Sequence, residues 1–231
     1  MGLKLGVPSK GRLMEDTFAW FGARGVDLVR DGGDREYAGA VRGIDGVDLV
    51  LLSAGEIPRE LAAGRIHLGV TGSDLVREKL PGWQGRVDEV AAMGFGYADL
   101  VIAVPVGWAD VETLDDLDAA AAAFRAVHGF RLRIATKYHR LVREFLRAAG
   151  VAEYQLVDSQ GATEGTVRNE TAEAIADITS SGDTLRANHL KILSDGLIHR
   201  SQATLFSSRA ADWDAEASAA LSEVRARLVD G

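Results

Sequence analysis

Hydrophobic and polar positions along the chain switch repeatedly between two periods. Short apolar runs of strand length alternate with stretches whose apolar residues recur every three or four positions. LKLGVP reads as a first strand, and residues 12–24, RLMEDTFAWFGAR, place Leu13, Phe18, Trp20 and Phe21 on one helical stripe. VDLVLLS (47–53) has the pattern of a buried strand, and EIPRELAAG (56–64) that of a short helix ended by glycine. RIHLGVTG (65–72) is a further strand, and SDLVREKL opens the next helix on a serine cap. RVDEVAAMG and DLVIAVP (99–105) follow as strands. Helix 113–127, strand RLRIAT (131–136), helix 137–149 and strands EYQLVD and EAIADI (173–178) repeat the rhythm. DITSSGDTLRANHL (177–190) leads from that last strand into a helix-like run.

This alternation predicts an α/β fold of two α/β domains with mainly parallel sheets. No Pro- or Ser-rich linker divides the chain, and no repeat of 20–50 residues is present. GFGYADL (94–100) is Gly-rich and joins two strands, which suits a hinge, and a second crossing is placed near residue 185. The domains expected are therefore 1–95 plus 186–231, and 96–185. Residues 212–229 are helical, with Trp213, Ala217, Leu221, Val224 and Leu228 on one stripe. Such a stripe docks on the body or on a partner rather than doing chemistry.

Composition narrows the function. With 231 residues, 47% hydrophobic and 26% charged, the chain reads as a soluble globular protein with a sizeable core. The net charge of −8 argues against a broad nucleic-acid surface but not against small anionic substrates held by a few cations and backbone N–H groups. The absence of cysteine rules out disulfides, thiolate metal sites and a cysteine nucleophile. No apolar run is long enough to span a membrane, and MGLKLGVPSKGRL reaches glycine and proline too soon for a signal peptide. A cytoplasmic location is expected.

In open α/β sheets, ligands bind where strands end and helices begin. Four junctions carry unusual residues. In VPSKGRL, Lys10 and Arg12 flank Gly11; the pair is either a solvated loop or a place to neutralise phosphate. In GVTGSDL, Ser73 or Asp74 caps the next helix, while Gly69 and Gly72 allow a ligand close to the backbone. In ATKYHRL, Lys137, His139 and Arg140 begin a helix, against its dipole. The fourth is DITSSGDTLRANHL. Its N–H groups at 181–185 and the Ser181 and Thr184 hydroxyls either cap a helix or wrap a phosphate. Asp177, at the strand end, suits sugar hydroxyls or a magnesium-bound water, and Asp183 is awkward beside a phosphate. Motifs for a P-loop, a dinucleotide fold, a nucleophile elbow and a zincin are all lacking, and the five histidines have no ligand spacing.

These four stretches, in this order, resemble the ATP phosphoribosyltransferase family. The family signature is met by Glu164, Ala172, Ile175, Asp177, Ile178, Ser181, Gly182, Thr184 and Leu185 within EGTVRNETAEAIADITSSGDTL. Glu170 stands where the pattern has glycine, and Glu56-Ile57-Pro58 replaces the usual Asp-Ile-Pro. The resemblance runs over roughly residues 3–206, and the single helix after it is like the family's short form.

The resemblance implies two domains like those of type II periplasmic binding proteins, with the active site in the inter-domain cleft. The activity implied is transfer of the phosphoribosyl group of phosphoribosyl pyrophosphate to N1 of ATP, the first step of histidine biosynthesis. It also implies a homodimer joined by a histidyl-tRNA-synthetase-like regulatory subunit in a hetero-octamer. On this reading Asp177, Thr179, Ser180, Ser181, Gly182, Asp183, Thr184 and Leu185 form the phosphoribosyl pyrophosphate site, with Asp177 on the ribose hydroxyls. Lys10, Arg12 and Arg35 face pyrophosphate or the ATP phosphates, and Gly69, Thr71, Gly72 and Asp74 line the ATP side. Magnesium enters with the substrate phosphates, and Glu164 has no assigned role. A two-lobed solute-binding protein is the alternative; it predicts ligand-driven closure without turnover.

Overall fold

The computed structural model describes residues 2–30, 38–159 and 161–229. The chain runs β1 (Leu3–Pro8), α1 (Gly11–Gly22), β2 (Asp27–Arg30), β3 (Ala38–Arg42), β4 (Val47–Leu52), α2 (Ile57–Ala62), β5 (Leu68–Gly72), α3 (Ser73–Lys79) and β6 (Val87–Ala92). It continues through β7 (Ala98–Pro105), α4 (Leu114–His128), β8 (Leu132–Thr136), α5 (His139–Ala148), β9 (Tyr154–Asp158), α6 (Gly165–Arg168), β10 (Ala174–Thr179) and α7 (Asp183–Ala187). The last elements are β11 (Leu190–Ser201), β12 (Ala203–Ser208) and α8 (Ala215–Val229).

The chain divides into two compact units, Met1–Tyr97 with Gln202–Gly231, and Ala98–Ser201. The second crossing lies at 201/202 and not near 185. The reason is β11, which pairs antiparallel with β7 from Leu190↔Pro105 to Ser201↔Ala98 and so holds 186–201 in the second unit. Its polar SDG interruption, with register shifts between Ile192 and Leu197 and again before His199, hides this strand from period counting.

The first unit has a sheet ordered β2-β3-β4-β1-β5-β12-β6. β1 runs parallel to β4 and β5, and the other pairings are antiparallel. The second sheet is ordered β11-β7-β10-β8-β9, with β8 parallel to β10 and β9. Both sheets are therefore mixed rather than mainly parallel. β2, β3, β6, β7, β11 and β12 pair only antiparallel with their neighbours; β11 and β12, which lack a clean apolar run, are the strands that period counting passes over.

Leu3, Leu5, Val7, Leu49, Leu51, Leu68, Val70 and Leu205 build the first core, and Ala217, Ala220 and Val224 of α8 close it. The α8 stripe thus docks on its own unit. Val101, Ala103, Ala135, Ile175, Leu185 and Leu190 form a core cluster of the second unit. There α4 begins with a Thr113–Asp116 capping box and ends on Gly129 in the left-handed region, as its sequence pattern implies.

Candidate functional site

Parallel neighbours deliver their carboxyl ends to one edge. In the second unit Thr136 pairs in register with Asp158 and with Ala176, so the loops after β8, β9 and β10 emerge together. The loop after β10 is built around Gly182, which is buried and sits at φ 74° as the residue before α7. The Thr179 hydroxyl accepts the Gly182 N–H at 2.8 Å and closes the turn. Leu185, 4% exposed, anchors α7 in the core. The helix is only five residues long, shorter than the helix-like run suggested.

Asp183 finds its explanation here. It accepts the Ser181 hydroxyl at 2.7 Å and pairs with Arg186 at 2.5 Å; these contacts, the Ser181 bond foremost, hold its carboxyl below the usual range. It braces the turn itself and occupies the Ser181 hydroxyl. The Ser180 and Thr184 hydroxyls and the N–H groups of Thr184 and Leu185 have no partner among the described residues, and all but Leu185 belong to exposed residues. Free donors at a helix start form an anion site. Asp177 is half-buried at the end of β10, where its Oδ1 accepts the Ile178 N–H at 2.9 Å.

The neighbouring loops are committed to structure. Lys137 Nζ donates to the Gly161 carbonyl at 2.6 Å, His139 Nε2 lies 3.3 Å from Asp158 Oδ1, and Arg140 pairs with Glu144 at 2.7 Å. Local bonds thus answer for the cations of ATKYHRL. Ser159 and Thr163, both buried, bond at 2.9 Å and brace the loop after β9, which sequence reading missed; the SQGAT composition is its signal. Glu164 is half-buried at the start of α6, where its side chain makes no capping bond.

The first unit has its own edge, at the carboxyl ends of β4, β1 and β5. Lys10 precedes α1 in extended backbone without capping it, and Gly11 stands at φ 74° with open space where a Cβ would lie. Lys10 and Arg12 are exposed, without hydrogen bond or ion pair among the described residues, and the first turn of α1 holds no acid. Arg35 lies outside the described residues. Glu56 folds back onto the Ser53 hydroxyl (2.7 Å) and N–H (3.1 Å), which hold its carboxyl low; the acid of this motif closes the turn after β4.

Of the four residues expected on the ATP side, three are buried, Gly69, Thr71 and Asp74. A Cβ on Gly69 would lie 2.7 Å from Ile57 and 3.0 Å from Leu61, so this glycine serves packing of α2 on β5. Thr71 is fully buried and its hydroxyl donates to the Ala54 carbonyl at 2.8 Å. Gly72 is half-buried before α3, and Asp74, 5% exposed, sits in that helix's first turn. Among the described residues no group of three His, Cys, Asp or Glu is placed to hold a metal, and no helix is long and apolar enough to cross a membrane.

Comparison with known proteins adds ancestry to this geometry. A family model described as "HisG: ATP phosphoribosyltransferase" matches residues 53–229. An ATP phosphoribosyltransferase of Cereibacter sphaeroides is 76% identical over 228 residues, covering 99% of this chain and 96% of that protein. One from Afipia carboxidovorans is 51% identical over 92% of this chain, which spans 66% of that longer relative. An ATP phosphoribosyl transferase (HisG:HisZ) complex from Thermotoga maritima superposes with a TM-score of 0.72 at 20% identity, over 99% of this chain and 97% of that one. A substrate binding protein of an amino acid ABC transporter shares the fold at a TM-score of 0.50 and 13% identity, over 99% and 92%.

Proposed function

Because the chain belongs to the ATP phosphoribosyltransferase family, we infer that it transfers the phosphoribosyl group of phosphoribosyl pyrophosphate to N1 of ATP. The products are phosphoribosyl-ATP and pyrophosphate, in the first step of histidine biosynthesis. The observation that carries the site reading is the loop after β10: a left-handed Gly182, free N–H groups at Thr184 and Leu185, and the Asp177 carboxylate two residues inside the end of the strand. Those donors suit a phosphate monoester, and Asp177 suits the ribose hydroxyls next to it.

C1 of the ribose passes through an oxocarbenium-like transition state as its bond to pyrophosphate breaks and the bond to N1 forms. Catalysis then consists of holding N1 in line and stabilising the departing charge. Lys10 and Arg12, exposed cations at a strand end with no protein partner among the described residues, suit the pyrophosphate or the ATP phosphates. Arg35 is a third cation proposed for the same role from sequence alone. Gly72 and Asp74 stay as first-unit contacts to ATP; Gly69 and Thr71 act through the shape of β5. The adenine N1 is unprotonated at neutral pH, so the step calls for no general base. Magnesium would enter with the substrate phosphates and offset their charge.

The Thermotoga neighbour was solved as a complex. In line with it, we place this chain as a homodimer working in the cytoplasm with a histidyl-tRNA-synthetase-like regulatory subunit, in a hetero-octamer. Pyrophosphate release from ATP and phosphoribosyl pyrophosphate, measured with and without such a subunit, tests the whole reading. Release that needs both substrates is expected. Tight binding of either with no release under both conditions would return the chain to the solute-binding alternative.

A further inference from the structure

At the amino-terminal ends of β8 and β9 the second unit carries a concavity of about 510 Å³ that the proposed reaction leaves without a role. Arg131, Arg143, Arg147, Val151, Tyr154 and Leu156 line it, and no carboxylate does. Arg143 and Arg147 stand one turn apart on α5, exposed and without an ion pair or hydrogen bond among the described residues. Like charges at that spacing repel. The dipole of α5 favours a cation in its last turn, which accounts for Arg147 alone, because the effect fades beyond that turn. Arg131 lies 3.4 Å from Glu153, which Arg125 already engages. Burial pushes the Tyr154 phenol up while the Arg143 and Arg147 charges pull it back, so both guanidinium groups act close to the ring.

A basic concavity in the first unit gives the contrast. It measures about 600 Å³ and is lined by Arg59, Lys79 and Arg86. Arg59 and Lys79 lie in the last turns of α2 and α3, where helix dipoles favour them, and no aromatic ring lines the space. Of these two concavities, the one in the second unit combines cations that local structure leaves unexplained with an aromatic face.

We propose that this concavity binds a phosphorylated small molecule of nucleotide size. Arg143 and Arg147 hold its phosphates, with Arg131 beside them, and its remaining part lies against Tyr154, Val151 and Leu156. Forked guanidinium donors match phosphate oxygens, and the volume falls within the range of about 300–1,000 Å³ usual for such sites. The site is separate from the loop after β10. Leu132 pairs with Tyr154, and Ile134 with Ala174, so Thr179 lies seven strand positions further on, roughly 23 Å at 3.3 Å per residue.

The test is an amide NMR titration of the full chain with inorganic tripolyphosphate, ADP and hexaglutamate, read at residues 150–156. Saturable shifts are expected with the two phosphate probes, unchanged in Thr184→Ala and at least tenfold weaker in the Arg143→Gln/Arg147→Gln double variant. Pyrophosphate release by that double variant should stay within twofold. Both arginines are exposed, so the double variant is expected to fold. If ADP binds more tightly than tripolyphosphate, and Tyr154→Ala removes the difference, the ligand is a nucleotide; equal affinities assign an inorganic polyphosphate. The proposal is overturned by the absence of saturable shifts, by unchanged affinity in the double variant, or by hexaglutamate binding as tightly as either phosphate probe, which would mark a docking surface for an acidic segment.

Discussion

Two strand-to-helix junctions, Gly69–Asp74 after β5 and Asp177–Leu185 after β10, contain the same ingredients. Each has glycine, a hydroxyl residue and a carboxylate at a strand end. In the first, the space beside Gly69 is taken by Ile57 and Leu61, and the Thr71 hydroxyl is bound to Ala54. In the second, Ser181 and Asp183 satisfy each other, Thr179 accepts the Gly182 N–H, and the donors of Thr184 and Leu185 are left with no protein partner among the described residues. The ingredients of an anion site are thus not the site. What separates the junctions is whether burial has already used their polar groups.

The largest effect that follows is on substrate affinity at the second junction. Thr184→Ala should raise the Michaelis constant for phosphoribosyl pyrophosphate ten- to a hundredfold, the equivalent of about 1.5–3 kcal/mol for a charge-assisted contact. Its stability should change by less than about 0.5 kcal/mol, as for other exposed positions. An unchanged Michaelis constant would erase the distinction drawn between the junctions. Thr71→Val should behave in the opposite way. It leaves the Ala54 carbonyl without its partner and costs about 1–3 kcal/mol in denaturant unfolding, with both Michaelis constants within twofold of the parent. A tenfold rise for ATP would show that Thr71 meets substrate after all.

The contrast also explains what was legible beforehand. Strands and helices with a clean period, such as VDLVLLS, DLVIAVP and the capped helix from Leu114, are visible because burial on one face writes itself into the alternation. β12 is not: all six of its residues are buried, yet Thr204, Ser207 and Ser208 are polar; the Thr204 hydroxyl donates to the Gln202 carbonyl at 3.2 Å and the Ser208 hydroxyl to the Leu61 carbonyl, distant in sequence, at 2.6 Å. The phosphate-loop candidate was readable as a motif because its requirements are local in sequence. The fates of Gly69, Thr71 and Asp183 depend on residues packed from elsewhere or on rotamers, neither of which a single sequence displays. Arg35 is known from sequence only.

A third, smaller effect concerns how β10 is held. Glu173, just before the strand, accepts the Arg133 N–H at 2.7 Å and pairs with the Arg133 guanidinium at 2.5 Å. Partial burial pushes this carboxyl up, but the Arg133 contacts outweigh it and leave it below its ordinary value of 4.5. A carboxyl depressed on folding contributes stability that is present above about pH 4.5 and is lost as pH falls through the folded value. The parent chain should therefore lose more stability than Glu173→Gln on acidification below pH 4.5. At pH 7 the substitution should cost about 1.5 kcal/mol, the lower end for a hydrogen bond to a charged partner. Parallel acid profiles for the two chains would show that the clamp adds nothing to the support of the loop.

The smallest effect lies on the approach to the same strand. Glu170 stands at φ 55°, in the left-handed region, at the position where the family signature has glycine. A side chain there costs about 1–2 kcal/mol, against which glycine forfeits about 0.4–1 kcal/mol by freeing the unfolded chain. Glu170→Gly should therefore stabilise by about 0.5–1 kcal/mol, seen as a higher denaturant midpoint at constant slope. The Glu170 carbonyl, which accepts from Arg133 at 3.0 Å, is backbone and survives the change. The Michaelis constant for phosphoribosyl pyrophosphate should not move, because the strain sits upstream of the strand and the donors sit after it. A gain in stability coupled to a changed Michaelis constant would instead mean that the bend at Glu170 sets the position of the loop, and that the second junction is tuned by the turn preceding its strand as well as by its own hydrogen bonds.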